Sequence, residues 1–199
     1  MSAELEWPPY GSWSSDDGQP PLHSAGGSRL TPLPKGTQGR AVFGGPGGCY
    51  RYALDRLWDN TLPAVMFVMM NPSTADPMAD DPTVAKCGRL ARRWGYGRLL
   101  VGNTFAWRAT DQRALADASD AVGPMTDTWL AKMSAEADKV VFAFGTPTVK
   151  ALLPHGVKTV RTMVEAGADA YVLRLSASGR PWHPLYLPDA VLPVSWNLA

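Results

Sequence analysis

The sequence predicts an α/β protein: a three-layer α/β/α sandwich around a short, mainly parallel four-stranded sheet. Three observations carry that reading. Four apolar, strand-like runs (residues 64–70, 98–104, 139–144 and 170–175) alternate with stretches of helical periodicity. Strand alternating with helix builds a parallel sheet covered on both faces. The chain has 199 residues, 45% of them hydrophobic, which is enough for one domain with a sizeable core. The first three runs end in N-P-S-T, N-T-F and F-G-T-P, and ligands of such sheets bind outside the carboxyl ends of the strands.

Taken in order, residues 1–40 are rich in Pro, Gly and Ser and read as an irregular N-terminal arm. Trp7 and Trp13 in it are either exposed or packed onto the domain. A single domain then spans residues 41–199. Residues 49–58 form a strand or a lead-in, and 64–70 a buried strand. Val84, Cys87, Leu90, Ala91 and Trp94 recur at helical spacing. Asp81 is a natural N-cap for that helix, Pro82 fits its first turn, and Gly95 ends it. Further helices are expected at 110–121, 124–137, 147–153 and 157–166.

The formal net charge is +1, so no global basicity points to nucleic acid, although a local basic face is still allowed. Cys49 and Cys87 make neither a disulfide framework nor a zinc site, which fits a reducing compartment. The N-terminus carries no signal-peptide pattern, and no apolar run approaches the ~20 residues that span a bilayer. A cytoplasmic protein is expected, with no membrane association, no metal or cofactor, and no obligate protein partner.

Asn71 ends the first strand, and Pro72 stiffens the turn behind it. Its amide either binds a ligand or only closes an Asx-type turn. Asp76 and Asp80 in the following loop are either solvated acids or a general base or metal pair. Lys86, Arg89 and Arg93 fall at i, i+3 and i+7 on the polar side of the helix, as a solvated face or a phosphate-binding stripe. Asn103 ends the second strand, where its amide can face a ligand. Phe105 and Trp107 either stack on a flat ring or pack in the core. His183, bracketed by Pro181 and Pro184, is rigidly placed to stabilise developing negative charge.

Together these segments resemble an uncharacterised bacterial domain family. Its motifs are N-P-S-T-A-D followed by D-D-P-T, a central N-x-F-A-x-R-A-T, and a closing G-x-P-x-H-P-L-Y-L, matched over about residues 49–196. Their order is also similar to the uracil-DNA glycosylase superfamily. There a strand ends in a water-positioning Asp or Asn before Pro, and a later strand ends in an Asn that reads the base. A V-V-x-x-x-G strand and an H-P-S-type loop complete the site. The corresponding segments here are Asn71-Pro72, Leu99 to Thr104, Val140 to Gly145, and His183-Pro184.

The resemblance implies a uracil-DNA glycosylase-like fold and a DNA glycosylase. Such an enzyme hydrolyses the N-glycosidic bond of a flipped base in DNA and leaves an abasic site, without a cofactor. Asn71 would orient water, since an amide is no general base near neutral pH; otherwise Asp76 or Asp80 supplies that base. Asn103 would read the base, Phe105 would stack on it, and His183 would stabilise the leaving group. Lys86, Arg89 and Arg93 would hold phosphates, and Leu185 and Tyr186 would wedge into the duplex. The most uracil-selective enzymes have Tyr after the motif Pro, walling off carbon 5 of the pyrimidine. Ser73 stands here instead, which implies a pocket admitting C5-modified pyrimidines and, because phage DNA carries them, a role in antiviral defence. Two alternatives are a hydrolase of free nucleosides or nucleotides and a non-catalytic nucleic-acid-binding module.

Overall fold

The computed structural model describes residues 5–16 and 18–197. The central strands are β5 (Ala64–Met69), β7 (Arg98–Asn103), β8 (Lys139–Phe142) and β9 (Ala170–Val172), which pair in parallel in the order β7-β5-β8-β9. These are the four expected runs. They sit inside a larger sheet, because β1 (Trp13–Ser14), β3 (Gln38–Gly44), β4 (Tyr50–Leu57) and β10 (Val194–Ser195) extend both edges. The sheet therefore has eight strands, in the order β1-β3-β4-β7-β5-β8-β9-β10, and not four. β3 and β4 form an antiparallel hairpin docked antiparallel on β7, and β10 runs antiparallel to β9. A second, two-stranded ladder joins β2 (Thr31–Pro32) to β6 (Ala79–Asp80).

Alternation along the strands supplies two apolar faces. Met66 and Val68 of β5 face α3 (Thr126–Ala135) and α4 (Leu153–Glu165), packing with Trp129, Leu130, Met133, Val160 and Met163. Val65 and Phe67 point the other way, onto Val84, Cys87, Leu90 and Ala91 of α1 (Pro82–Arg93). The three layers follow from that period of two. α1 starts where expected: the Asp81 carboxylate accepts from the amides of Thr83 and Val84, both at 2.9 Å. Such a cap is worth about 1 kcal/mol. The later helices are displaced from their expected bounds. α2 (Gln112–Asp117) is shorter than 110–121. Residues Lys150–Leu152 form a 3-10 turn leading into α4, which takes Pro154 in its first turn and starts before residue 157.

The arm lies on the domain. Trp7 packs edge-on against Trp129, with ring centroids 5.2 Å apart, and its indole N–H donates to Glu136 at 3.1 Å. Tyr10 donates to Asp55 at 3.0 Å. Asp55 is fully buried in β4 and also receives Arg40 of β3 at 2.8 Å and Arg98 of β7 at 2.9 Å. One carboxylate thus ties the arm, the added hairpin and the parallel sheet together.

Removing a partner from a buried ion pair strands the opposing charge. Asp55→Ala leaves two mostly buried guanidinium groups without it and is expected to lower stability by about 3 kcal/mol, read as the midpoint of a urea titration. A loss below about 0.5 kcal/mol, typical of a surface change, would show that the cluster does not hold the hairpin.

Candidate functional site at the carboxyl ends of the parallel strands

The loop after β5, residues 70–81, has little regular structure, yet each of its turns is fixed by a side chain. Arg51 and Arg56 of β4 are both 2% exposed. Arg51 donates to the Ala75 carbonyl at 2.8 Å, and Arg56 donates to the carbonyls of Asp76 and Ala79. Asp76 accepts from the amides of Met78 and Ala79 at 2.7 and 2.9 Å, closing an Asx turn. Asp80 is buried and paired with the Arg56 Nε at 2.9 Å. Burial raises the Asp80 pKa, and the facing Arg56 works against that rise. Asp80 is therefore committed to its arginine and does not stand open as a base. Asp76 keeps one carboxylate oxygen outside its turn.

Asn71 is half-buried, and its amide nitrogen donates to the Ala109 carbonyl at 2.6 Å and to the Pro72 carbonyl at 3.2 Å. Carbonyls only accept, so the orientation of the amide is fixed and its oxygen is left as a free acceptor. Residues 103–110 run alongside the same loop. Asn103 is in register with Met69, the Phe105 amide donates to the Met70 carbonyl at 2.8 Å, and the Ala109 amide donates to Pro72 at 2.9 Å. Asn103 is 3% exposed and accepts from Arg51 at 3.4 Å. The Ser73 hydroxyl bonds Thr110 at 2.8 Å, and Gly27 of the arm lies so close that an added Cβ would sit 2.8 Å from the Thr110 hydroxyl. Phe105 is buried against His155, with ring centroids 4.5 Å apart. His155 is held by donating to the Thr104 carbonyl at 2.6 Å. The rarity of histidine, three in the chain, was the available signal for it.

The opposite wall comes from β8 and the loop after β9. Gly145 has φ of +72°, and a Cβ there would stand 3.3 Å from the Cβ of His183. Glycine lets the backbone turn left-handed and lets the histidine approach. His183 accepts from the Leu185 amide on Nδ1 at 3.4 Å, so the neutral ring carries its proton on Nε2. Burial lowers its pKa, with Asp81 acting weakly the other way. Met70, Phe144, Gly145, Trp182, His183 and Tyr186 line a cleft of ≈ 630 Å³. Tyr186 in its lining is 76% exposed, and its neighbour Leu185 is 45% exposed.

The expected basic stripe is divided. Lys86 is 6% exposed, donates to the Leu187 carbonyl at 2.7 Å and pairs with Asp189. It anchors the loop carrying His183 to α1 and is not an open phosphate contact. Arg89 reaches the same Asp189 at 3.3 Å, and Arg93 is exposed. Cys49 and Cys87 are buried thiols, and among the described residues no group of three His, Cys, Asp or Glu side chains is placed to hold a metal. No helix among the described residues is long and apolar enough to cross a membrane.

A family model described as "Protein of unknown function (DUF1643)" matches residues 51–185, well over half of the chain, and the chain belongs to that family. No curated protein and no solved structure matches it.

Hydrogen bonds to a charged group contribute about 1.5–3 kcal/mol. Lys86→Ala is therefore expected to speed hydrogen exchange at the Tyr186 and Leu187 amides roughly tenfold or more. Unchanged exchange at both would mean that Lys86 does not hold the loop.

Proposed function

We propose that this member of the family is a DNA glycosylase that hydrolyses the N-glycosidic bond of a flipped pyrimidine and leaves an abasic site. The observation that carries the reading is the trio at the strand ends: the oriented oxygen of Asn71, with Asn103 on the β7 side and the neutral His183 beside Gly145 on the β8 side. The motif order shared with the uracil-DNA glycosylase superfamily supports the same assignment.

Glycosidic cleavage passes through a cation-like sugar, so the attacking water needs orientation more than deprotonation. Asn71 accepts a hydrogen bond from that water and aims it at the sugar carbon. The bond from sugar to base nitrogen breaks with its electron pair staying on the base, where the His183 Nε2–H stabilises the charge. The water oxygen bonds the sugar carbon, and the proton it releases passes through solvent to the departed base. Asn103 contacts the base edge. Phe105 supports the floor of the site from the core side, since its ring is occupied by His155. Exposed Leu185 and Tyr186 fill the gap left in the base stack, offsetting a few kcal/mol of unstacking. A free-nucleotide hydrolase has no use for such an apolar tip, which favours DNA.

The cleft of ≈ 630 Å³ lies within the range of about 300–1,000 Å³ that holds drug-sized ligands. It is larger than a bare pyrimidine requires. A C5-modified pyrimidine is the substrate this favours, with antiviral defence as the corresponding role.

Single-turnover assays of alkali-sensitive sites test this on DNAs carrying uracil, cytosine, thymine and their hydroxymethylated or glucosylated forms. The wild type is expected to act faster on a modified base than on the plain one. Asn71→Ala is expected to slow it about a hundredfold through loss of orientation, whereas Asp76→Asn changes the rate little. Because burial lowers the folded-state pKa of His183, the neutral ring persists to lower pH than in a free imidazole, and the rate falls with acid only below the ordinary histidine midpoint. Loss of all turnover in Asp76→Asn, with Asn71→Ala unaffected, would assign water activation to the carboxylate.

A further inference from the structure

With Lys86 buried in a structural ion pair, the cleft needs another cation if it is to hold a nucleic-acid backbone. We propose that Arg180 is that residue, a phosphate-binding side chain on the small crevice that adjoins the cleft. The inference rests on the DNA reading above and adds the residue that grips the backbone beside the extruded nucleotide.

The main chain of Arg180 is tightly fixed. Its amide donates to the Ser176 hydroxyl at 3.1 Å, and its carbonyl accepts from the Ser176 amide at 2.8 Å. The Gly179 amide donates to the Ser176 carbonyl at 2.9 Å, with Gly179 at φ of +71°, and Leu175 bridges Pro181 beyond the turn. Its guanidinium, by contrast, has no hydrogen bond, ion pair or aromatic partner among the described residues. Several other arginines around the strand ends have partners: Arg51 bonds Ala75 and Asn103, Arg56 pairs with Asp80, Arg108 bonds the Gly48 carbonyl, and Arg174 lies over the Trp182 ring.

The surroundings suit an anion. Arg180 lines the crevice that continues the cleft inward and shares Met70, Phe144 and Gly145 with it. No carboxylate lines either the crevice or the cleft, while Gln112, Thr146 and Ser176 add neutral polar groups. Arg180 also precedes His183 by three residues in a proline-stiffened loop. A base set against the imidazole therefore places its own backbone near the guanidinium. The planar fork of arginine takes two phosphate oxygens at once, which lysine does not.

Fluorescence anisotropy with a short pyrimidine-containing DNA at about 50–200 mM salt, together with single-turnover base release, tests the assignment. The proteins compared are the full chain, Arg180→Ala, Arg180→Lys, and the α4 surface variant Arg161→Ala. One phosphate contact contributes about 0.7–0.9 to the slope of log affinity against log salt. Arg180→Ala is expected to lose that amount and to raise KM more than it lowers kcat. Arg180→Lys should restore the slope with weaker affinity, and Arg161→Ala should match the wild type. An unchanged slope in Arg180→Ala while base release continues would overturn the assignment and leave the glycosylase reading intact. Absence of base release from every DNA, with an Arg180-dependent slope, would do the reverse. Arg180-dependent binding of a nucleoside monophosphate, with none of DNA, would keep the phosphate contact and overturn DNA as its source.

Discussion

The site depends on two arginines that a core strand does not ordinarily contain. Arg51 and Arg56 of β4 sit almost wholly out of water, and the carbonyls they contact belong to the loop after β5, most of which lies outside any ladder. Burial of an unpaired guanidinium is costly, and it draws the pKa of Arg51 down to about 10, still far above neutrality. That cost is offset because the rigid guanidinium forks replace hydrogen bonds the loop would otherwise take from water. Asn71 at the start of the loop and Asp81 at its end thereby become fixed points. The first faces the candidate reaction centre, and the second caps α1, whose Lys86 holds the loop carrying His183.

This arrangement divides labour between charge and neutrality. Ionised groups around the carboxyl strand ends are paired off, Asp80 with Arg56 and Lys86 with Asp189. What faces the cleft is neutral or aromatic, with one fixed imidazole. Such a lining suits a bond whose cleavage is driven by charge leaving on a good leaving group, held by oriented donors.

The sequence made the parallel core and α1 legible because both follow short-range rules, apolar runs of strand length and a Asp-Pro cap before a helical period. β4 was readable only as a strand or a lead-in, because Arg51, Asp55 and Arg56 break its apolar pattern, although all three are buried. Their partners lie on other segments, so no local pattern reveals the burial. The same blindness explains Asp80 and Lys86. Each reads as an open polar residue until Arg56, 24 positions away, and Asp189, 103 positions away, are seen beside it. Strand-end placement made Asn71, Asn103 and His183 readable as a set, whereas Arg180 carried no signal beyond an arginine in a Gly-Pro turn. Its meaning comes from an anchored backbone and an unclaimed side chain, which only the folded chain displays.

Intact-mass spectrometry of a single DNA strand bearing one candidate pyrimidine, before and after reaction with excess protein, tests the central claim most directly. Hydrolysis predicts a strand that has lost one base and gained one water with its backbone unbroken, together with one equivalent of free base. A strand of unchanged mass after prolonged incubation with every pyrimidine tried, or a strand cut without loss of its base, would contradict the account.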